Sequence, residues 1–579
     1  MEPMQEGAAA GVAGDRRAWC RADRLCALVL LAAVALTWAP RLSGELDLRY
    51  DGGVYYILGT SLHEGHGYRL LNEPGAPEAV QYPPLLPAVV AAHQALAGST
   101  DPAAVGPWLR VTYFALHALY ALACFALARR LLPPGLALAA ALIPTLHALW
   151  LFLSDLVFAE LPYALLGVLL VLVVERARGH ERPRDLALAG ALGAAAVLLR
   201  TAGAALLAAW VGEALLRRRW RQGLARGAVA LLPLVAWQAH VARVQAGDEW
   251  RAPAYEYQRA PYQFNNVTYR DNVSLLDPFR PELGRLTAGD LAARLVAHAA
   301  RMPLALGETV SATENDWRRL AARPQALHRR LRGLADLVVV PLAALGLVAI
   351  GGLALVARRG QPLGPLYALG ATLLVCSTPW PIQFVRYLSP LQPFLAIGLV
   401  TGAVGLQGAL AARGRPRLGR AVLAGALAGA LLMVAYSVQA AFRYRHDEGP
   451  TYIEGQGRAG PRLFYYDADW AAWDEAIHWI GARAPEDAVV ASIAPHLSWL
   501  RIGRPSVFPP LEADPDRAQR LLEAVPVSYV VIDNLTFLDL TRRYATPAVQ
   551  AHPDRWRLVH RVGWTTVYER VAEVDHEPR

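Results

Sequence analysis

Apolar residues gather into eleven runs along the chain, at about 25–40, 107–128, 133–153, 156–174, 186–199, 202–216, 227–246, 335–357, 363–379, 387–410 and 421–441. Most approach the roughly 17–25 residues that a helix needs to cross a bilayer. The pair at 186–216 is short and is interrupted by Arg200 and Thr201, which predicts two thin helices meeting at a membrane surface where a long Arg side chain can snorkel. Every second connection is rich in Arg: Arg129 and Arg130, the stretch from Glu175 to Arg184, the Arg217–Arg226 cluster, Arg358 and Arg359, and the Arg413–Arg420 cluster. Basic loops stay in the cytoplasm, so the N-terminus is expected there. Loop 41–106, the turn near 154, loop 247–334 and everything after 441 are then expected outside.

A further apolar stretch, 84–98, is short and carries His93 and Gln94. Counted as a span it would invert every later loop and put the Arg clusters outside. It is therefore expected to be an interfacial or re-entrant helix on the outer surface.

The remaining segments follow other periods. Loop 247–334 has helical stretches near 288–301 and 315–332. In the tail, 470–484 has the pattern of an amphipathic helix, while 487–492, 527–533 and 564–570 read as strands. The predicted architecture is an α-helical polytopic membrane protein of about eleven transmembrane helices with a small C-terminal extracytoplasmic α/β domain. Its parts are a cytoplasmic basic head at 1–24, a membrane region at 25–441 and the α/β domain at 442–579. Arg16, Arg17, Arg21 and Arg24 precede the first run without a convincing small-residue cleavage site, so that run is expected to remain as a span.

Composition supports this class. The 579 residues are 55% hydrophobic and 18% charged, with a mean hydropathy of +0.25, a mixture that requires many spans joined by charged loops. The net charge of +9 is carried entirely by Arg, with no Lys. No nucleic-acid motif or aromatic-basic interleaving accompanies it, and nucleic acid is excluded as a partner. Cys20, Cys26, Cys124 and Cys376 lack C-x-x-C spacing and indicate neither a disulfide framework nor a zinc site.

Three outer features can carry chemistry. Asp51 directly follows Arg49-Tyr50 and precedes two glycines. At headgroup level its carboxylate can take a proton from an attacking hydroxyl, or it can simply cap the following helix. Asp155 and Glu160 lie at the outer end of the fourth run. Asp155 also suits an N-cap, whereas an ionised Glu160 one turn inside an apolar helix calls for a polar cavity or partner. With Asp51, Glu160 could hold a divalent metal or acceptor hydroxyls. Arg386-Tyr387, among prolines at the tenth run, presents a fork-shaped cation suited to phosphate, or an interfacial anchor. His63 and His66 read as solvated loop positions, and His117 and His147 as satisfied interior ones. N-x-[ST] sequons occur at Asn266, Asn272 and Asn534.

In chain order these features resemble a known family. The first-loop Asp is followed by Y-P-P-x-x-P at 82–87; S-D-x-x-x-x-E-L-P follows at 154–162, L-x-R-x-A-G at 198–203, and R-Y-x-x-P-x-x-P at 386–393. Together they are similar to the GT-C glycosyltransferases, in the branch of protein mannosyltransferases and of aminoarabinose transferases acting on lipid A. The resemblance implies transfer of one sugar, with inversion, from a polyprenyl-phosphate donor to a lipid, glycan or protein acceptor. It implies that Asp51 is the base, Asp155 and Glu160 the second acidic site, and Arg386 with Tyr387 the phosphate contact, with Tyr55, Tyr82 and Arg200 in support. Many relatives carry two adjacent first-loop acids, but here Gly52 follows Asp51, leaving Asp51 the one base candidate in that loop. No cofactor is required by this scheme; Mg or Mn at Asp51 and Glu160 is the open alternative. The expected location is a bacterial inner membrane. A transporter or flippase of lipid-linked sugars is the competing reading, although transporters place ionisable groups near the midplane and show paired halves, and neither pattern is visible.

Overall fold

A computed structural model describes residues 19–42, 46–178, 181–322, 336–447 and 463–571. Most of the predicted basic head, and the predicted helix 315–332 beyond residue 322, lie outside the described residues.

Every apolar run is helical. Among the described residues six stretches are long and apolar enough to cross a membrane alone: Arg21–Arg41, Pro102–Ala128, Trp220–Ala246, Val339–Arg358, Pro381–Ala412 and Pro416–Arg445. Pro134–Leu146 and Ala148–Asp155, bent by 41°, make a seventh if they form one span. The other predicted spans are shorter helices: Glu160–Arg176 and Pro183–Leu199 with 17 residues each, Gly203–Leu216 with 14 and Leu363–Ser377 with 15. For two of them the shortness has a local cause, because a charged residue stands where the helix begins or ends. Glu160 opens one of them, and Arg200 is the C-terminal cap of another.

The helices pack through small residues. A Cβ at Gly352 would lie 1.7 Å from the main-chain oxygen of Gly398, so helices Val339–Arg358 and Gln392–Ala412 touch backbone to backbone, as small-residue interfaces in membranes allow. The stretch 84–98 forms the 13-residue helix Leu85–Ala97, ended by Gly98 at φ +62°, a left-handed cap that glycine adopts freely. This helix lies against helix Asp51–His63, where Gln94 Nε2 donates to Thr60 Oγ1 at 2.8 Å.

The tail folds as a five-stranded sheet of β1 (Val489–Ala491), β2 (Ser506–Val507), β3 (Val527–Ile532), β4 (Trp556–Val562) and β5 (Thr565–Arg570), in the order β2-β1-β3-β5-β4. The first three strands are parallel and the β4–β5 hairpin adds antiparallel. Helix Ala468–Gly481 and strands β1, β3 and β5 occupy the predicted segments. β2 is too short, and β4 too exposed and polar, to show a pattern in the sequence.

One buried pair ties the tail to the first loop. Arg49 grips Asp47 through Nε (2.8 Å) and Nη2 (2.7 Å), and donates to the main-chain oxygens of Tyr465 (2.9 Å) and Phe464 (2.6 Å). A second tie joins the first loop to the chain beyond 247. Glu73 is buried and accepts a hydrogen bond from the Tyr255 hydroxyl, and burial pushes its carboxyl from the usual 4.5 up to about 7. The folded protein therefore holds a proton that the unfolded chain loses. The associated stability is complete below pH 4.5 and is lost as pH rises through 7, a change of about 3 kcal/mol. The melting temperature of the purified protein should fall between pH 5 and 7.5, and Glu73→Gln should flatten that slope.

Candidate active site

Asp51 is not a helix cap. It is the first residue of helix Asp51–His63, and the preceding Tyr50 takes φ +58° and ψ −145°, a conformation that costs an ordinary side chain about 1–3 kcal/mol. The sharp entry aims the Asp51 carboxylate away from its own helix. Gly52 permits this approach, since a Cβ there would lie 2.0 Å from the main-chain oxygen of Leu156.

The carboxylate meets Arg386, which lies on the one-turn helix Phe384–Leu388 just before helix Gln392–Ala412. Arg386 Nη2 pairs with Asp51 Oδ2, and Arg386 Nε donates to Glu160 Oε1 at 2.7 Å. Arg200 Nη1 forms a second ion pair with the same Glu160 oxygen. Glu160 at a helix N-terminus and Arg200 at a helix C-terminus also sit favourably in the helix dipoles. The Tyr82 hydroxyl donates to Asp51 Oδ1 at 3.2 Å, with Asn265 Oδ1 at 3.4 Å as the alternative acceptor. Tyr55 packs edge-on against Tyr82, and the Arg386 guanidinium lies 4.3 Å from the Phe158 ring centre and 6.0 Å from that of Tyr387. Burial alone would raise the Asp51 pKa, but the positive charges of Arg386 and Arg200 and the Tyr82 hydrogen bond outweigh it and hold the carboxyl below its usual value.

Part of this cluster stands at the wall of a cavity of about 790 Å³, large enough for a drug-sized or larger polar headgroup, with Glu160, Arg200 and Tyr55 behind that wall. Asp51, Tyr82, Arg386 and Tyr387 line it, together with residues that the sequence did not single out: Asn265 and Tyr269 from the 247–334 segment and His496 from the tail. Nothing in their local pattern marks them, since each reaches the cavity through a loop or helix end.

Of the residues singled out by sequence, the structure brings Asp51, Glu160, Arg200, Arg386, Tyr387, Tyr55 and Tyr82 together. Asp155 is placed elsewhere. It is fully buried and held by Arg41 Nε (2.9 Å) and Nη2 (2.7 Å) and by Arg110 Nη1 (3.3 Å), so its charge is consumed in bracing three helices. Its main-chain oxygen accepts from Asp47 N at 3.3 Å, which fixes the loop that leads into Asp51. His117 is a satisfied interior histidine, accepting from Trp38 Nε1 at 2.9 Å and bonded to the Thr145 oxygen at 3.0 Å, and His63 and His66 are exposed. Asn266 and Asn272 are buried, and Asn272 accepts from Gln81 at 3.1 Å, so these two sequons are structural.

The donor set does not fit Mg or Mn. Arg386 already occupies the space between Asp51 and Glu160, Arg200 adds a second cation on Glu160, and the two negative charges are matched before any ion arrives. Among the described residues no group of three or more His, Cys, Asp or Glu converges elsewhere.

The sequence matches no protein-family model and no curated protein. Solved structures do match. ArnT from Cupriavidus metallidurans bound to undecaprenyl phosphate superposes with a TM-score of 0.51 at 13% identity, over 95% of this chain and 98% of that one. The oligosaccharyltransferase AglB from Archaeoglobus fulgidus, in complex with an inhibitory peptide and a dolichol-phosphate, superposes with a TM-score of 0.50 at 14% identity, over 88% of this chain and 70% of that one. The chain has a GT-C glycosyltransferase fold. In this GT-C fold the acidic and basic motifs of four separate segments converge on one ion-paired cluster beside the cavity.

Two measurements separate the ionic networks. Asp155→Ala should destabilise the protein by about 3–5 kcal/mol, because it removes the carboxylate that faces the fully buried Arg41 guanidinium; Asp51→Asn leaves Arg386 on Glu160 and should shift the melting temperature little. Chelation of divalent metal should leave whatever reaction the Asp51 site performs at its untreated rate.

Proposed function

We propose that the protein is a membrane glycosyltransferase that moves a single sugar from a polyprenyl-phosphate donor to an acceptor hydroxyl on the extracytoplasmic face, with inversion at the anomeric carbon. The observation that carries this reading is the single Arg386 guanidinium shared between Asp51 and Glu160 at the cavity wall. A GT-C fold and relatives solved with undecaprenyl phosphate and dolichol-phosphate support it. The acceptor is a lipid, glycan or protein in or beside a bacterial inner membrane, with the N-terminus cytoplasmic and the tail domain outside. Residues 1–24, 25–441 and 442–579 serve as head, membrane body and outer domain.

Chemistry follows from the charges. A donor phosphate competes with Asp51 for Arg386, and Arg200 supplies a second guanidinium nearby; two forked cations suit a phosphate. When Arg386 turns to the phosphate, Asp51 loses the positive charge that depresses its pKa and becomes a stronger base. Its carboxylate then takes the proton of the acceptor hydroxyl while that oxygen attacks the anomeric carbon. The bond from that carbon to the phosphate oxygen breaks, its electron pair leaves with the polyprenyl phosphate, and the guanidinium groups stabilise the charge that develops. One displacement gives inversion. Glu160 holds Arg386 and Arg200 in place, and Tyr82 orients Asp51.

Purified protein in nanodiscs, incubated with a panel of polyprenyl-phosphate hexoses and pentoses, should release polyprenyl phosphate and form one glycosylated product, read by mass spectrometry. Asp51→Asn should lower the rate by about 10²–10⁴-fold, and Arg386→Lys, which cannot span two anions in a fork, should also be slow. A fully active Asp51→Asn variant, or a wild type that only relocates intact donor across the bilayer, would contradict the assignment.

A further inference from the structure

The tail domain presents its strand ends to the cavity. From β1 the chain runs through helix Pro495–Ile502 to β2 on one side, then through helix Pro515–Ala524 to β3 on the other. The order reverses at β1, and in open α/β sheets ligands bind beyond the carboxyl ends of the strands at such a reversal. Here the residues following those ends line the cavity that holds Asp51: Ile493 and His496 after β1, Phe508 after β2, and Phe537 and Leu538 after β3.

His496 is the polar member of this set. It is 7% exposed, and neither Nδ1 nor Nε2 makes a well-aligned hydrogen bond within the protein, the main chain of Tyr50 being the polar neighbour within reach. Its ring is held against the Asp51 helix so closely that a Cβ at Gly53 would lie 2.6 Å from its Cδ2. Burial drives its pKa down to about 4, so at ordinary pH it is a neutral imidazole with one donor and one acceptor. A buried polar group whose hydrogen-bonding capacity is not filled is costly, and this one lines the cavity that holds Asp51. Beside the charged groups of Asp51 and Arg386, the same cavity is lined by the half-buried rings of Phe264, Phe279, Phe508 and Phe537 and by the amides of Gln81 and Asn265. Aromatic faces beside neutral hydrogen-bonding groups suit the C–H faces and hydroxyls of a sugar ring.

We propose that His496 binds the acceptor, and that the acceptor is a carbohydrate: the imidazole hydrogen-bonds a hydroxyl next to the one that attacks, and the phenylalanine faces receive the ring. This rests on the transferase reading and adds to it the class of the acceptor and a residue of the tail domain that touches it. Asp51 remains the group that takes the proton, so His496 changes no bond; it sets where the attacking oxygen stands.

The full-length protein in nanodiscs, loaded with the donor that the panel identifies, allows two rates to be compared: donor cleavage by water and transfer to a set of octyl glycosides, a long-chain alcohol and a Ser/Thr peptide. Wild type should transfer to a glycoside. His496→Ala should lower that transfer by about 10- to 100-fold, the loss expected when a buried hydrogen bond to the acceptor is removed, while cleavage by water stays within about twofold. His496→Gln, which keeps a donor and an acceptor, should recover part of the transfer. Equal loss of both rates, or no loss, overturns the role of His496, and transfer to the alcohol or peptide alone overturns the carbohydrate. A wild type that cleaves no donor instead refutes the transferase reading, and this inference falls with it.

Discussion

Two carboxylates and two guanidinium groups must be kept together at the edge of an apolar body, and the Arg386 bridge between Asp51 and Glu160 does this. A lone ion in such surroundings is costly, whereas a matched cluster with hydrogen bonds is tolerable. The bridge joins the first loop, the start of helix Glu160–Arg176 and the approach to helix Gln392–Ala412, and Arg200 brings in a fourth segment. Removing the bridge would leave two acids facing each other across the cavity wall. It also leaves the Asp51 carboxylate and the Arg386 guanidinium neutralising each other.

Two buried networks behind the cluster hold it in register. Asp155 with Arg41 and Arg110 locks the turn that precedes Glu160 to the end of the first helix and to helix Pro102–Ala128. Asp47 with Arg49 fixes the residues before Asp51 and attaches them to the tail domain. The strained Tyr50 between these anchors is sustained because both sides are over-determined, as strained residues at functional sites generally require. The tail domain is thereby part of the cavity wall, with the carboxyl ends of its parallel strands directed at Asp51.

Much of this was legible in the sequence. Each apolar run is a helix because helical spanning is a property of local composition, and the Arg-rich connections mark where the runs end. Asp51, Glu160, Arg200 and Arg386 could be picked out individually because a charge beside an apolar run has to find a partner, and few charges there are available to supply one. The short pair at 186–216 was visible too, since Arg200 interrupts it, whereas Glu160, expected a turn inside its helix, opens it instead.

What the sequence could not settle is which charge pairs with which. Asp155 and Glu160 are five residues apart, yet the turn between them, with Val157 at φ +56°, sends one to Arg41 and Arg110 and the other to Arg386 and Arg200. Spacing carries no record of that choice, because the partners come from segments far away in the chain. The same holds for the guanidinium that stands where a metal might have been expected, and for His496, brought over Asp51 by a sheet whose strand order alone decides which loop ends face the membrane body. Local composition determined the helices and the presence of buried charge. The pairing of that charge, and hence the shape of the site, was decided by tertiary packing.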